Sequence, residues 1–323
     1  MPDATLLKDP ARRDVIAGLA ALLGTAGEHA FADASLKTVV DQTGRSTTIP
    51  KQPQRVISLS DMTLTAPLYE LGVPVIGSTR TRDDLHAFQE LFGLTGKEAG
   101  IEDLGLNTGY DIERIAALGP DLIVTDTFNG AFGAFEQIAP VYVANYFGAR
   151  QNVRALNPQI AAALGVQSRF EELNAAYRAR LNRVAEKLEV NPNGATWIAA
   201  MVSDGDIVIG RAGGAFSIVA EDLGFRLPDW VEQLNSEMAF FPISLEELPR
   251  INTDLVFFMP TYFAAEQSQQ SVKATLEGVM PGWERFVPAV REGHVIYISG
   301  SVSIVPAFAA AHQVLDAIEA QWG

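Results

Sequence analysis

The side chains that could do chemistry in this 323-residue chain are arginines, aromatics and two repeated carboxylates; no reaction centre is legible. His29, His86, His294 and His312 are scattered without H-x-x-x-H spacing, so they build no zinc site. The absence of cysteine removes disulfides, thiolate ligands and thiol nucleophiles. "SGSVSI" is not a G-x-S-x-G elbow, and "GLTGK" lacks the first glycine and following hydroxyl of a phosphate loop. "IGRAGG" does not match G-x-G-x-x-G. One acid–base pair, Asp126 with His86, is the basis for a competing reading as an exported α/β hydrolase, and it rests only on two titratable groups in neighbouring loops. The expectation is a binding protein with no catalytic residue, no cofactor and no protein metal ligand.

Two segments say the same thing twice. "DIERIAALGPDLIVT" (111–125) and "SLEELPRINTDLVFF" (244–258) each read as a short helix, a proline break and a buried strand. Glu113 and Asp121 in the first stand in the same register as Glu246 and Asp254 in the second. An acid in a first helical turn favours its own helix dipole by about 0.3–1 kcal/mol, which is one reason to place a glutamate there.

The elements that must carry these residues follow from apolar runs. "RVISL" (55–59), "VPVIG" (73–77), "DLIVTD" and "VYVAN" (141–145) read as buried strands separated by helices, the pattern of a parallel sheet covered on both faces. "TVVDQTGRSTTIP" (38–50) precedes them as a β-ribbon. "ATWIAAMVSDGDIVIG", "DLVFFM" and "HVIYIS" repeat the plan after mid-chain, and a terminal helix from Pro306 turns Phe308, Val314, Leu315 and Ile318 inward. Ligands of open α/β sheets collect beyond strand carboxyl ends. The residues found there are Ser60, Asp61 and Met62, then Arg80 and Arg82, then Thr127, Phe128 and Asn129, then Asn145, Tyr146, Phe147 and Arg150, and in the second half Arg211, Tyr262 and Phe263. Phe240 and Phe241 precede the second repeated helix and serve either the ligand or the core. Guanidinium forks match oxyanions, so the expected ligand is anionic; ion pairing of Arg80 or Arg82 with Asp83 and Asp84 is the competing role.

Formal charge is −15, from 24 basic and 39 acidic residues, which argues against nucleic acid or an anionic membrane surface as partner. Arg12 and Arg13 ahead of "DVIAGLAALLG" and "AFADA" predict a twin-arginine-like export signal over 1–32, leading to a soluble periplasmic protein; without cysteine, a lipobox anchor is not expected. Residues 33–166 form a first lobe and 191–323 a second. Between them, 167–190 carry an apolar stripe at Phe170, Leu173, Tyr177, Leu181, Val184 and Leu188 that predicts one long helix, read as a rigid connector.

Together "VVDQTGRSTTIP", "RVISLS", the two repeated segments, the connector and "WERFVPAVREGHVIYIS" resemble the periplasmic binding proteins of ABC importers for ferric siderophores, cobalamin and haem. The resemblance covers the mature chain. It implies an α/β fold of two similar lobes, each with a mostly parallel sheet flanked by helices, joined by a single long helix, with the ligand cleft between lobes. It implies iron uptake by a monomer, with iron bound indirectly as a ferric siderophore. It also implies that Glu113 and Glu246 meet arginines on the importer's two membrane subunits. The ending "REGHVIYISGSVSIVPAFAAAHQVLDAI" is similar to the hydroxamate-binding branch. Asn107 stands where that branch carries an arginine, so Arg80, Arg82 or Arg211 is expected to supply the charge. Haem, held by Tyr146 or Tyr262, and cobalamin are the alternative ligands.

Overall fold

Ten strands fall into two five-stranded sheets of the same order. The first contains β3 (Val56–Ser58), β4 (Val75–Arg80), β5 (Glu102–Leu106), β6 (Leu122–Asp126) and β7 (Val141–Ala144), arranged β5-β4-β3-β6-β7. The second contains β8 (Trp197–Ser203), β9 (Asp206–Gly210), β10 (Phe240–Ile243), β11 (Leu255–Pro260) and β12 (Val295–Tyr297), arranged β10-β9-β8-β11-β12. The expected ribbon is a separate antiparallel pair, β1 (Leu36–Val40) and β2 (Ser46–Pro50). The computed structural model describes residues 36–82, 85–127, 132–146, 153–188, 194–203, 206–233 and 239–322. The export segment, Phe128 and Arg150 lie outside the described residues.

All neighbours in the first sheet run parallel. In the second sheet only β9 is reversed, pairing antiparallel with both β8 and β10. The reversal follows from "SDGD", whose chain length allows a hairpin but no crossover. It also sets the level of Arg211 in the sheet. Gly210 pairs with Ala199, near the start of β8, so the residue after β9 falls well short of the β8 carboxyl end. The outer strands β5 and β10 lack the apolar run that predicts a buried strand: β5 is "EDLGL", and β10 carries Pro242, which an edge strand tolerates.

Alternation along the strands divides the core. Val56, Leu122 and Val124 pack on one face of the first sheet, and Ile57 and Ile123 on the other. In the second sheet Ala199, Phe257 and Met259 face one cluster while Ile198, Val256 and Phe258 face another. Both sheets belong to one compact unit, Leu36–Gly323. The helix Gln167–Ala185 stands between them in the chain. At 1.5 Å per residue it is roughly 28 Å long. Its stripe passes from one core to the other: Phe170 and Leu173 pack on the first-sheet cluster, Tyr177, Leu181 and Val184 on the second.

The repeated aspartates have a structural job. Asp121 accepts from the backbone N–H groups of Gln54 (2.7 Å) and Arg55 (2.9 Å), directly before β3. Asp254 accepts from the Thr196 N–H at 2.6 Å and its hydroxyl at 2.8 Å, directly before β8. Each carboxylate therefore ties the loop entering the fourth strand to the start of the central strand in its own sheet.

A further carboxylate joins the halves. Glu70, which ends the helix Ala66–Glu70, accepts from the Phe308 N–H (2.8 Å) and Ala309 N–H (3.0 Å), the first donors of the helix Phe308–Trp322. Two orphan donors at a helix start are thereby satisfied from the other half. Burial pushes the Glu70 carboxyl up from 4.5 to about 7, against the opposing pull of those two N–H groups and of Arg169. An acid with a raised folded-state value binds its proton more tightly when folded, so its contribution is fully present below about pH 4.5 and lost as pH rises through 7. Each pH unit in that window changes stability by up to about 1.4 kcal/mol. Glu70→Gln is expected to flatten the stability profile between pH 4.5 and 7 in chemical denaturation, while losing one of the two cap bonds because an amide offers a single oxygen. An unchanged profile would show that Glu70 titrates normally.

Candidate functional site

Residues after β3, β7 and β11, with the loop after β9 and the start of β10, surround one cavity of about 290 Å³. The first half supplies Met62, Thr63 and Tyr146. The second supplies Met201, Phe240, Tyr262, Phe263, Ile304 and Pro306, together with Gly213 and Gly214. The walls are aromatic, thioether and aliphatic, with few polar atoms, the usual make-up of a small-molecule site at the lower end of the common size range.

Local sequence sets each wall. Ser60 caps the turn that follows β3, its hydroxyl accepting from the Thr63 N–H at 3.3 Å and lying 2.7 Å from the Thr63 hydroxyl. Thr63 Oγ1 in turn donates to the buried Asp126 Oδ2 at 2.9 Å. The cap thus holds Thr63 and Met62 toward the cavity, while Ser60 itself is buried behind them. Phe240 lies over the glycine loop that follows β9. A Cβ on Gly210 would come within 2.9 Å of the Phe240 ring, so that glycine makes room for it. Phe241, the next residue of an extended strand, points to the other face and packs against Trp230 with ring centroids 6.2 Å apart. Phe240 and Phe241 are thus separated by strand parity: one is in the cavity wall and the other is in the outer core.

Tyr146 and Tyr262 turn ring surface toward the cavity and commit their hydroxyls inward. Tyr146 OH donates to Asn157 Oδ1, and Asn157 Nδ2 donates to the Pro306 carbonyl of the other half. Tyr262 OH donates to Asp61 Oδ2 at 3.1 Å. Burial, then neighbouring negative charge, raises both phenols far above the ordinary tyrosine value. Both hydroxyls are thus engaged in the protein's own hydrogen bonds, Tyr146 with Asn157 and Tyr262 with Asp61.

The arginines do not converge as the strand-end reading expects. Arg80 Nε donates to both oxygens of Asp103 at 3.1 Å, and its Nη1 to the Arg82 carbonyl. Arg82 Nη1 donates to the carbonyls of Tyr262 and Ala264. Arg211 is 8% exposed and has a partner in the fold. Asn107 donates to Thr81 Oγ1 at 3.4 Å and to the Arg80 carbonyl through its backbone. None of these four is a wall residue. The physical reason is common to Arg80 and Arg82: each reaches a nearby acceptor on its own strand ends or across the cleft. Met62, one of the residues after the first strand, does line the cavity, whereas Met201, Ile304 and Pro306 are wall residues that the strand-end reading does not pick out. Of the acid–base pair, His86 lies 3.6 Å from Glu90, and Asp126 receives the Thr63 hydroxyl. Among the described residues no group of histidines and carboxylates could hold a metal ion.

The repeated glutamates are the mirror image of the arginines. Asp111 caps the helix Ile112–Ala117 by accepting from the Arg114 N–H at 2.9 Å. Ser244 and Glu247 form a reciprocal capping box on the helix Leu245–Arg250, with the Ser244 N–H donating to Glu247 at 2.9 Å. Capping is therefore done by other residues. Glu113 and Glu246 occupy the same second helical position, are exposed, and have no hydrogen bond or ion pair among the described residues.

Two similar α/β sheets with an apolar cavity at their facing strand ends define a small-molecule-binding architecture. The comparison with known families agrees. Residues 71–302 match the family described as periplasmic binding protein, and the chain belongs to that family. It is 28% identical over 221 residues to the iron(3+)-hydroxamate-binding protein FhuD of Bacillus subtilis, covering 66% of this chain and 65% of that protein. It is 31% identical over 169 residues to the Fe(3+) dicitrate-binding periplasmic protein FecB of Escherichia coli, covering 51% of this chain and 52% of that one. The fold matches the crystal structure of holo-ViuP with a TM-score of 0.70 at 19% identity, covering 89% of this chain and 95% of that one. No helix among the described residues is long and apolar enough to cross a membrane.

Proposed function

We propose that this chain captures a ferric siderophore in the cavity between its two sheets and delivers it to an ABC importer for iron uptake. The observation that carries this reading is the apolar, aromatic cavity at the strand ends of a periplasmic binding protein. Relatives named for binding iron(3+)-hydroxamate and Fe(3+) dicitrate support the ligand class. The siderophore's own oxygens hold the iron, and the wall residues Tyr146, Phe240 and Tyr262 meet its organic periphery. Residues 33–166 and 191–323 act as the two lobes, with 167–190 as the connector and 1–32 as the export signal. Glu113 and Glu246 dock on the membrane subunits. The chain acts as a monomer and catalyses no reaction.

Intrinsic fluorescence titration of the purified protein tests this against ferric hydroxamate, catecholate and carboxylate complexes, with haem and cobalamin in parallel. Saturable quenching by at least one ferric siderophore, reduced by Phe240→Ala, is the expected result. Binding of haem or cobalamin alone would reassign the ligand, and turnover in a hydrolase screen would reassign the class.

A further inference from the structure

Tyr262 is a cavity wall supplied by the second half, yet the first half holds it at two points. Its phenol donates to Asp61 Oδ2 at 3.1 Å. Its carbonyl accepts from Arg82 Nη1 at 3.0 Å, and the same nitrogen reaches the Ala264 carbonyl at 2.9 Å. Asp61 directly follows Ser60 after β3, and Arg82 follows β4; the two strands are paired neighbours, so both side chains rise from one end of one sheet. Asp61 is 1% exposed, and its other side-chain donor is the Thr81 hydroxyl. Neither Asp61 nor Arg82 lines the cavity. Phe240, by contrast, is seated within its own half against Gly210 and Phe216.

We propose that Asp61 and Arg82 are positioning residues for ligand binding: they fix Tyr262 from across the cleft at the place where its ring meets the ligand. The inference rests on the reading of this cavity as the ligand site. A phenol bonded to a buried carboxylate and a backbone pinned by a guanidinium leave the ring little freedom, and a wall already in place loses less freedom when ligand arrives. The grip of one half on the other and the affinity of the cavity thereby become one coupled quantity. The aspartate that a strand-end reading would offer to a ligand is instead turned toward the protein's own tyrosine.

The test uses the full mature protein with ferrioxamine B, and with ferric citrate as a second probe. Dissociation constants by fluorescence quenching and melting temperatures are measured for wild type, Asp61→Asn, Asp61→Ala, Arg82→Met, Tyr262→Phe and the Asp61→Ala/Tyr262→Phe double variant, with Phe240→Ala as a wall control. Asp61→Ala and Tyr262→Phe are each expected to weaken binding about tenfold or more in folded protein. The double variant should be no weaker than the worse single, because both remove the same bond. Asp61→Asn, which keeps an acceptor oxygen, should stay within about threefold of wild type. Should Asp61→Ala not fold, Tyr262→Phe and Arg82→Met carry the same comparison. Wild-type affinity in Tyr262→Phe and Arg82→Met, or multiplying losses in the double variant, would overturn the inference while Phe240→Ala still shows the cavity to be the site. Absence of binding by wild type to both complexes and to the ferric catecholate of the titration above would instead remove the functional reading, and this inference with it.

Discussion

Glu113→Ala with Glu246→Ala is expected to abolish siderophore-dependent iron uptake while leaving ligand affinity and melting temperature close to wild type. Each glutamate sits at the second position of a helix whose capping is supplied by other residues: Asp111 in one case, Ser244 with Glu247 in the other. Removing either carboxylate breaks no bond inside the protein among the described residues, so little stability is at stake beyond a dipole contribution of about 0.3–1 kcal/mol. A charged pair desolvated at an interface is different: truncating one partner costs roughly 2–5 kcal/mol, largely because the other charge is stranded. Each single variant should therefore lower uptake and the double should lower it further. The control is Glu247→Ala, one residue along, which should lower stability by about 1 kcal/mol through the lost capping box and spare uptake. Normal uptake in the double variant, with the protein correctly located, would refute docking.

The same pair of segments shows what the sequence makes legible and what it does not. The repeat of helix, break and strand is readable because β6 and β11 are buried throughout, so each opens on an apolar run, Leu122–Val124 in one and Leu255–Met259 in the other. The stripe from Phe170 to Val184 is readable for a similar reason: a helix that touches two cores must carry apolar residues along its whole length. The edge strands β5 and β10 fail this test, β5 because Glu102 and Asp103 interrupt it and β10 because Pro242 disguises a strand, whereas the edge strands β7 and β12 are largely buried and carry apolar runs. Side-chain commitments over long separations are also invisible. Nothing near Arg82 in the chain announces that its partners are the carbonyls of Tyr262 and Ala264. Nor does the pair Phe240–Phe241 reveal which ring faces the cavity, since that depends on the register of β10 against β9. Residue type at a strand end identified the right neighbourhood, and packing decided which side chains entered the wall.

Gly214→Ala is expected to destabilise the protein by more than about 3 kcal/mol and to spoil the cavity in whatever fraction still folds. Gly214 has φ +107° and ψ −179°, a region in which a side chain is strained. Steric contact adds to this, because a Cβ there would lie 2.4 Å from Ile304 Cα and 2.5 Å from its carbonyl carbon and oxygen. Those are backbone atoms and do not step aside as a side-chain tip would. Relief requires the helix Ala215–Leu223 to move away from Ile304, and both Gly214 and Ile304 line the cavity. Gly213→Ala is the informative comparison. Its φ is +94°, but its added methyl would meet nothing nearer than the Phe240 ring at 3.5 Å, so only the conformational penalty of about 1–2 kcal/mol applies. Denaturant midpoints of the two variants should therefore separate clearly, with Gly214→Ala much the lower. Equal midpoints would mean that the loop adapts and that no close approach exists. A large gap would assign the second glycine of "AGG" to contact between two parts of the protein's own backbone, which is why a Gly-rich loop beside a cavity is not by itself a sign that the ligand comes close there.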